Sequence, residues 1–144
     1  MWWDKDHPDA LYVDRRIVPP GSIVQQTMWQ IEPDVAADFT ALPFDDDSFA
    51  LVVFDPPHAT ISPESITGMK YGTITDLDEV IAGLRECYRV VIPSGFLVFK
   101  WAEAVFPVQK VLDRAEMTPM FGHRTAKSGK TIWCLFRKEG SLDG

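Results

Sequence analysis

Residues 51–58 read Leu-Val-Val-Phe-Asp-Pro-Pro-His. Four apolar residues run directly into an aspartate and two successive prolines. A short apolar run cut off by a breaker reads as a buried strand. The prolines end it at once, because neither can donate to a ladder and each restricts the residue before it. The product is a stiff loop at the carboxyl end of a central strand, the place where open α/β sheets bind ligands. The loop presents the carboxylate of Asp55, the carbonyls of Pro56 and Pro57, and the flat ring of His58. Such groups suit a planar molecule that carries an amino group.

A chain of 144 residues is expected to form one domain, residues 1–144, small for a doubly wound fold. With 46% apolar and 24% charged residues it has a globular composition. No apolar run approaches the roughly 20 residues of a membrane span. Asp4, Lys5, Asp6 and His7 break any signal-peptide pattern. Cys87 and Cys134 have neither disulfide-framework nor metal spacing and fall in apolar elements, so buried reduced thiols in a cytoplasmic protein are expected. The net charge of −7 argues against tight non-specific nucleic-acid binding, but it is uneven. Residues 1–58 hold three basic and eleven acidic residues; residues 100–138 hold eight basic and three acidic ones. The basic tail would suit a phosphate-bearing substrate; the same asymmetry also fits an ordinary solvated surface.

Along the chain, residues 10–14 and 35–38 read as short strands that end in acids. Residues 23–31 fit a strand or a helix. A turn at 45–48 leads into a strand at 49–54. Residues 59–75, with Gly68 and Gly72, read as a long segment whose part 62–72 is a candidate mobile substrate loop. Asp76 starts a helix, with Leu77, Val80, Ile81, Leu84 and Tyr88 at helical spacing. Pro93-Ser94-Gly95 closes that unit, a buried strand follows at 96–101, and a second helix is expected at 108–117. Strands at 119–124 and 131–137 form a hairpin. The order implies an α/β fold.

The Asp55-Pro56-Pro57-His58 loop resembles the catalytic loop of class I S-adenosylmethionine-dependent methyltransferases that act on exocyclic amines, whose pattern is Asp/Asn/Ser-Pro-Pro-aromatic. The chain is similar to small methyltransferase-like proteins of phages and prophages. It shares their Trp2-Trp3-Asp4-Lys5 opening, the Asp-Pro-Pro-His loop, and a tail containing Phe121-Gly122-His123, Gly129-Lys130-Thr131 and Trp133. The resemblance implies a Rossmann-like methyltransferase sheet with a C-terminal antiparallel hairpin, and S-adenosyl-L-methionine as cofactor. It implies a nucleic-acid substrate, most naturally adenine in DNA. It also implies that the family's first strand and Gly-rich turn are missing and that the chain starts within that motif. The lost strand would leave two sheet edges unpaired, which invites a rearranged sheet, low stability or a homo-oligomer.

On this resemblance Asp55 and the Pro56 carbonyl would accept the two N–H groups of the target amine, with Pro57 stiffening the loop and His58 stacking on the base. Asp14 would accept from the ribose of the cofactor. Asp38 and Phe39 would hold its adenine, and Trp3 would lie by its methionine end. A binding role for Asp14 and Asp38 is favoured over simple turns, whereas ordinary packing suits Trp2 and Trp3 equally well. Lys100 and Trp101 end the neighbouring strand and are expected to face the same crevice. His123, Arg124 and Lys130 form a substrate-side hairpin. Gly129-Lys130-Thr131 is not a phosphate-binding P-loop, because the earlier glycine and the strand–loop–helix context are absent. No His/Cys/carboxylate cluster has metal spacing. Three functions follow: an amino-methyltransferase on DNA; a methyltransferase-fold remnant that binds or regulates without cofactor; or a methyltransferase acting on RNA, protein or a small molecule.

Overall fold

A computed structural model describes residues 4, 6–24, 27–57, 64–74, 76–125 and 129–140. The chain divides into two compact units, residues 1–43 and 44–144. The first is built from two-residue strands. β1 (Val13–Asp14) pairs in parallel with β4 (Val35–Ala36), and β2 (Ile23–Val24) forms a small antiparallel hairpin with β3 (Thr27–Met28). A bridge joins Val18 to Ile31, each N–H donating to the other's carbonyl at 2.9 Å. The two strands expected at 10–14 and 35–38 therefore exist but are shorter, and the ambiguous stretch 23–31 contains a hairpin. None of the residues of this unit whose exposure is described is buried. Leu11, Ile17, Ile23 and Met28 are all exposed.

The second unit holds the core. β5 (Phe49–Phe54) pairs in parallel with β6 (Val91–Ala102), and β8 (Thr131–Arg137) joins β6 antiparallel to β7 (Phe121–Thr125), giving the order β5-β6-β8-β7. α2 (Leu77–Arg89) makes the crossover between the two parallel strands. Asp76 caps it, its carboxylate accepting from Asp78 N at 2.9 Å. Leu77, Val80, Ile81 and Leu84 of the helical spacing read in the sequence are buried, whereas Tyr88 is half-buried and Cys87 completes the inward stripe. α3 (Val108–Ala115) buries Val108, Val111, Leu112 and Ala115 and is capped by Glu103, whose Oε1 accepts from Val108 N at 2.8 Å. This is an α/β unit, as the order of elements implied, with the Rossmann-like sheet and C-terminal antiparallel hairpin that the resemblance implied.

Successive residues of a strand face opposite sides. Phe54, Leu97, Phe99, Trp101, Cys134 and Phe136 fall on the buried side. Phe99 stacks between Phe54 and Trp101, ring centroids 5.7 and 5.9 Å apart. The other side carries Leu51, Phe96 and Phe121, all exposed.

Three expectations are corrected. Residues 66–71 are helix α1 (Ile66–Tyr71), capped by Ser65 Oγ on Gly68 N at 3.0 Å, within the segment read as a loop. The second strand of the parallel pair starts at Val91, five residues early, and Pro93-Ser94-Gly95 bulge out of it rather than closing the previous unit. The register moves from Phe49↔Val91 to Leu51↔Phe96 across this bulge. A bulge tolerates proline because it needs no ladder donor there. Gly95 is required: a Cβ would stand 2.8 Å from the Ala50 carbonyl oxygen and 2.9 Å from that of Ile92. α3 ends at Ala115 instead of 117, where Glu116 turns left-handed with φ 57°.

Behind β5 the chain is tied down by charges. Lys138 Nζ donates to Asp47 Oδ1 at 2.7 Å and to the Arg89 carbonyl at 2.8 Å. Arg89 Nη1 reaches Asp46 Oδ1 at 2.6 Å and the Phe44 carbonyl at 2.9 Å.

Candidate active site at the tip of β5

The aromatic stack fixes Phe54, so the backbone that leaves β5 at Asp55 is held in place. Pro56 is buried directly after it. Phe54 pairs with Phe99, which puts Asp55 abreast of the next β6 residue, Lys100. Lys100 Nζ donates to Asp55 Oδ2 at 3.1 Å, and both side chains are 21% exposed. Asp55 Oδ1 is buried and has no hydrogen-bond partner among the described residues. An ionised carboxylate only accepts, so the corner is short of one donor. Leaving such an atom unmet costs about 1–3 kcal/mol or more.

Lys100 lies opposite Trp133 on β8, which lies opposite His123 on β7. Directly opposed residues share a face, so Lys100, Trp133 and His123 form one row across the sheet. Lys100 Nζ sits 5.8 Å from the centroid of the Trp133 ring. His123 is exposed at the end of the row, and Lys130 is exposed just before β8.

Two expected site residues fall on the other face. Trp101 is fully buried, and its indole N–H donates to the Phe106 carbonyl at 2.8 Å. It packs the core and does not share a crevice with Lys100; alternation along the strand separates them. Arg124 lies opposite Ile132, which lies opposite Trp101. Its guanidinium is paired with Glu103, the same carboxylate that caps α3. That pairing, followed by the Val108 N–H, holds the Glu103 carboxyl below the usual range against the opposing effect of burial. Arg124 therefore buttresses a helix start. His58 and Trp3 lie outside the described residues.

In the first unit, Asp14 ends β1 as expected, but Arg16 already occupies it. Oδ1 accepts from Arg16 N and Nε, both at 2.9 Å, and Oδ2 accepts from Nη2 at 2.7 Å. Burial alone would raise its carboxyl; the Arg16 bonds outweigh that and hold it below its ordinary value. Of about four acceptor positions on a carboxylate, three are taken. Asp14 thus has room for one further hydroxyl, not for both hydroxyls of a ribose, unless Arg16 moves. Asp38 Oδ1 accepts from Thr40 N at 2.9 Å and Thr40 Oγ1 at 2.8 Å, and Oδ2 stands 3.6 Å from Arg15. The Thr40 N–H, the Thr40 hydroxyl and Arg15 depress its carboxyl, while burial opposes them. Its side chain stays 41% exposed, so Oδ2 is open to a donor. Phe39 is half-buried beside it. Asp38 thus keeps more acceptor capacity for an outside donor than Asp14 does.

A cleft of about 290 Å³ lies elsewhere. It is lined by Tyr88, Met117, Phe136 and Arg137 among others. Arg137 pairs with Phe96 at the start of β6's long run, so this cleft opens at the end of the sheet away from Asp55.

Sequence reasoning missed Trp133 as a member of the site and Glu103 as the partner of Arg124. The alternation of β8, read from buried Cys134, signals the face of Trp133; no local pattern links residues 103 and 124.

No protein-family model and no curated protein matches this chain. Solved structures do. A candidate DNA modification methylase from Thermus thermophilus, TTHA0409, in its selenomethionine form is similar over 71% of this chain and 51% of its own, with 24% identity and a TM-score of 0.45. The same protein complexed with S-adenosyl-L-methionine is similar over 74% and 55%, at 21% identity and a TM-score of 0.48. A third form gives 73% and 52%, 21% identity and a TM-score of 0.45. The chain spans about half the length of the solved structures it matches.

Proposed function

We propose that this chain transfers a methyl group from S-adenosyl-L-methionine to an exocyclic amino group, with adenine in DNA as the substrate. The observation that carries the reading is Asp55 Oδ1, a buried carboxylate oxygen at the tip of a parallel strand with no donor among the described residues. An amino group on an aromatic ring supplies that donor. Such an amine is a poor nucleophile, because its lone pair is delocalised into the ring. One N–H held by Asp55 Oδ1 and the other by the Pro56 carbonyl would pull the nitrogen towards tetrahedral geometry and free the lone pair. Those bonds are strongest as the nitrogen gains positive charge, so they favour the transition state over the ground state. Pro57 keeps the corner stiff, and His58 would stack on the ring of a base turned out of its duplex.

The cofactor would supply an electrophilic methyl group on a positively charged sulfur, which leaves as the neutral thioether while the surplus proton of the methylated nitrogen passes to water. Asp38 and Phe39 would hold its adenine, Asp14 one ribose hydroxyl, and Trp3 its methionine end. The surplus of acids in residues 1–58 suits a cation. Lys130 and His123, both exposed on the hairpin, would meet phosphate. On this reading residues 1–144 work as one domain of the class I amino-methyltransferase kind, in the cytoplasm of a bacterial cell with phage or host DNA as target. The sheet edge at β5 is also a surface through which a homo-oligomer would form.

Calorimetric titration with S-adenosyl-L-methionine and its demethylated product tests the cofactor, and methyl transfer to DNA against RNA tests the substrate. Asp55→Ala is expected to lower transfer by about 10²–10³-fold, the scale of losing one aimed polar group. Full transfer by that variant removes Asp55 from the chemistry. One observation favours a second reading, a fold remnant that binds partners without cofactor: the Arg16 bonds that nearly saturate Asp14. Absence of heat with both cofactor forms would decide for it.

A further inference from the structure

By its place in the sequence Lys100 looks like a substrate contact, yet its ammonium is already committed. It lies 3.1 Å from Asp55 Oδ2 and 5.8 Å from the Trp133 ring centroid. We propose that Lys100, braced on Trp133, is a positioning residue that pins Oδ2 of Asp55 and so keeps Oδ1 as the oxygen offered to the substrate amine. The inference rests on the role of Asp55 proposed above.

A carboxylate turns easily about its last bond, since the two oxygens are equivalent and the torsion is broad. An unpinned Asp55 would spread its acceptors over several directions, and reaction rate is steep in such placement. A charge-assisted bond to one oxygen removes this freedom. The choice of cation matters. Guanidinium presents a fork that takes both oxygens of a carboxylate, whereas ammonium is a compact point charge that takes one. Lysine is therefore the cation that leaves Oδ1 open. The lysine is itself restrained. Its strand register is set by Phe54↔Phe99 on one side and Lys100↔Trp133 on the other. The aromatic face attracts the ammonium. Both members of the ion pair are only 21% exposed, so water competes weakly for either.

The test is methyl transfer to an adenine-containing duplex by the full chain, with Asp55→Ala and Lys100→Ala compared. Lys100→Ala is expected to lower kcat by about 100-fold, the cost of misplacing an acting group. KM for the duplex and Kd for S-adenosyl-L-methionine should stay within about twofold, the pattern of an interaction felt only in the transition state. Added propylammonium, which refills the vacated space with a cation, should restore about tenfold of the rate. Lys100→Met keeps the stem and guards against a folding defect; the same loss without thermal destabilisation supports the proposal. Wild-type kcat in both Lys100 variants, with Asp55→Ala inactive, overturns the role of Lys100 and leaves that of Asp55 standing. A rise in KM with kcat unchanged also overturns it, because Lys100 would then touch the substrate directly. An Asp55→Ala variant as active as the parent, or a parent that transfers no methyl group, removes the proposed function and this inference with it.

Discussion

Asp14, Asp38 and Glu103 are all held below their ordinary carboxyl values, and the consequence is a defined acid sensitivity. Asp14 and Asp38 start from 3.8 and Glu103 from 4.5. Each is depressed in the folded chain, so each contributes stability that is complete above its unfolded value and is lost as pH falls through its folded one. Thermal midpoints should be level from neutral pH to about 5 and drop below about 4.5, with Glu103→Gln giving a shallower drop. A slope that begins near neutrality contradicts the assignment. The thiols behave in the opposite sense: burial, with help from Glu86, pushes Cys87 up to about 12, and burial raises Cys134. Neither is expected to react with a thiol reagent at pH 8 until the chain unfolds, and prompt native-state labelling would contradict their burial. The reduced, buried character of both was legible in the sequence. The split between Lys100 and Trp101 was not, because a continuous apolar run has no alternation to show which residue faces in.

Among the elements, β5, α2 and β8 were legible nearly to the residue. Their signals are local: an apolar run against two prolines, a capping aspartate before helical spacing, and an alternating strand. The early start of β6 was hidden, because Pro93-Ser94-Gly95 has the composition of a turn and only pairing with β5 turns it into a bulge. Helix α1 was hidden by Gly68, which lowers helix propensity, and by the short length of the element. The bulge makes a stability prediction. Gly95→Ala drives a methyl group into two backbone carbonyls, so a loss of about 1–3 kcal/mol is expected in urea melts. An unchanged midpoint would show that the bulge relaxes freely. Glu103→Ala removes the cap of α3 and the partner of Arg124 together. It should cost about 1–2 kcal/mol, the scale of a lost N-cap, and speed amide exchange in α3 before α2.

On the scale of the whole molecule, burial is divided unequally. Every fully buried side chain among the described residues belongs to the unit 44–144, and the described strands of the unit 1–43 are two residues long. Amide hydrogen exchange should therefore show weak protection in residues 6–43 and strong protection in α2 and β6. Equal protection in both units would mean that a core exists in the first that its strands do not reveal. The charge split read from sequence follows this division only in part: residues 1–43 hold seven acidic and three basic residues, but Asp45, Asp46, Asp47 and Asp55 belong to the second unit.

The ionic ties among Lys138, Arg89, Asp46 and Asp47 have a consequence for reach. They anchor one end of β5, and the acid corner projects from the other. Between them lie six residues, a span of about 20 Å. The strand works as a gauge block. Adding or deleting one residue within it would shift the carboxylate by about 3.3 Å and swing it to the opposite side of the sheet, out of reach of its lysine.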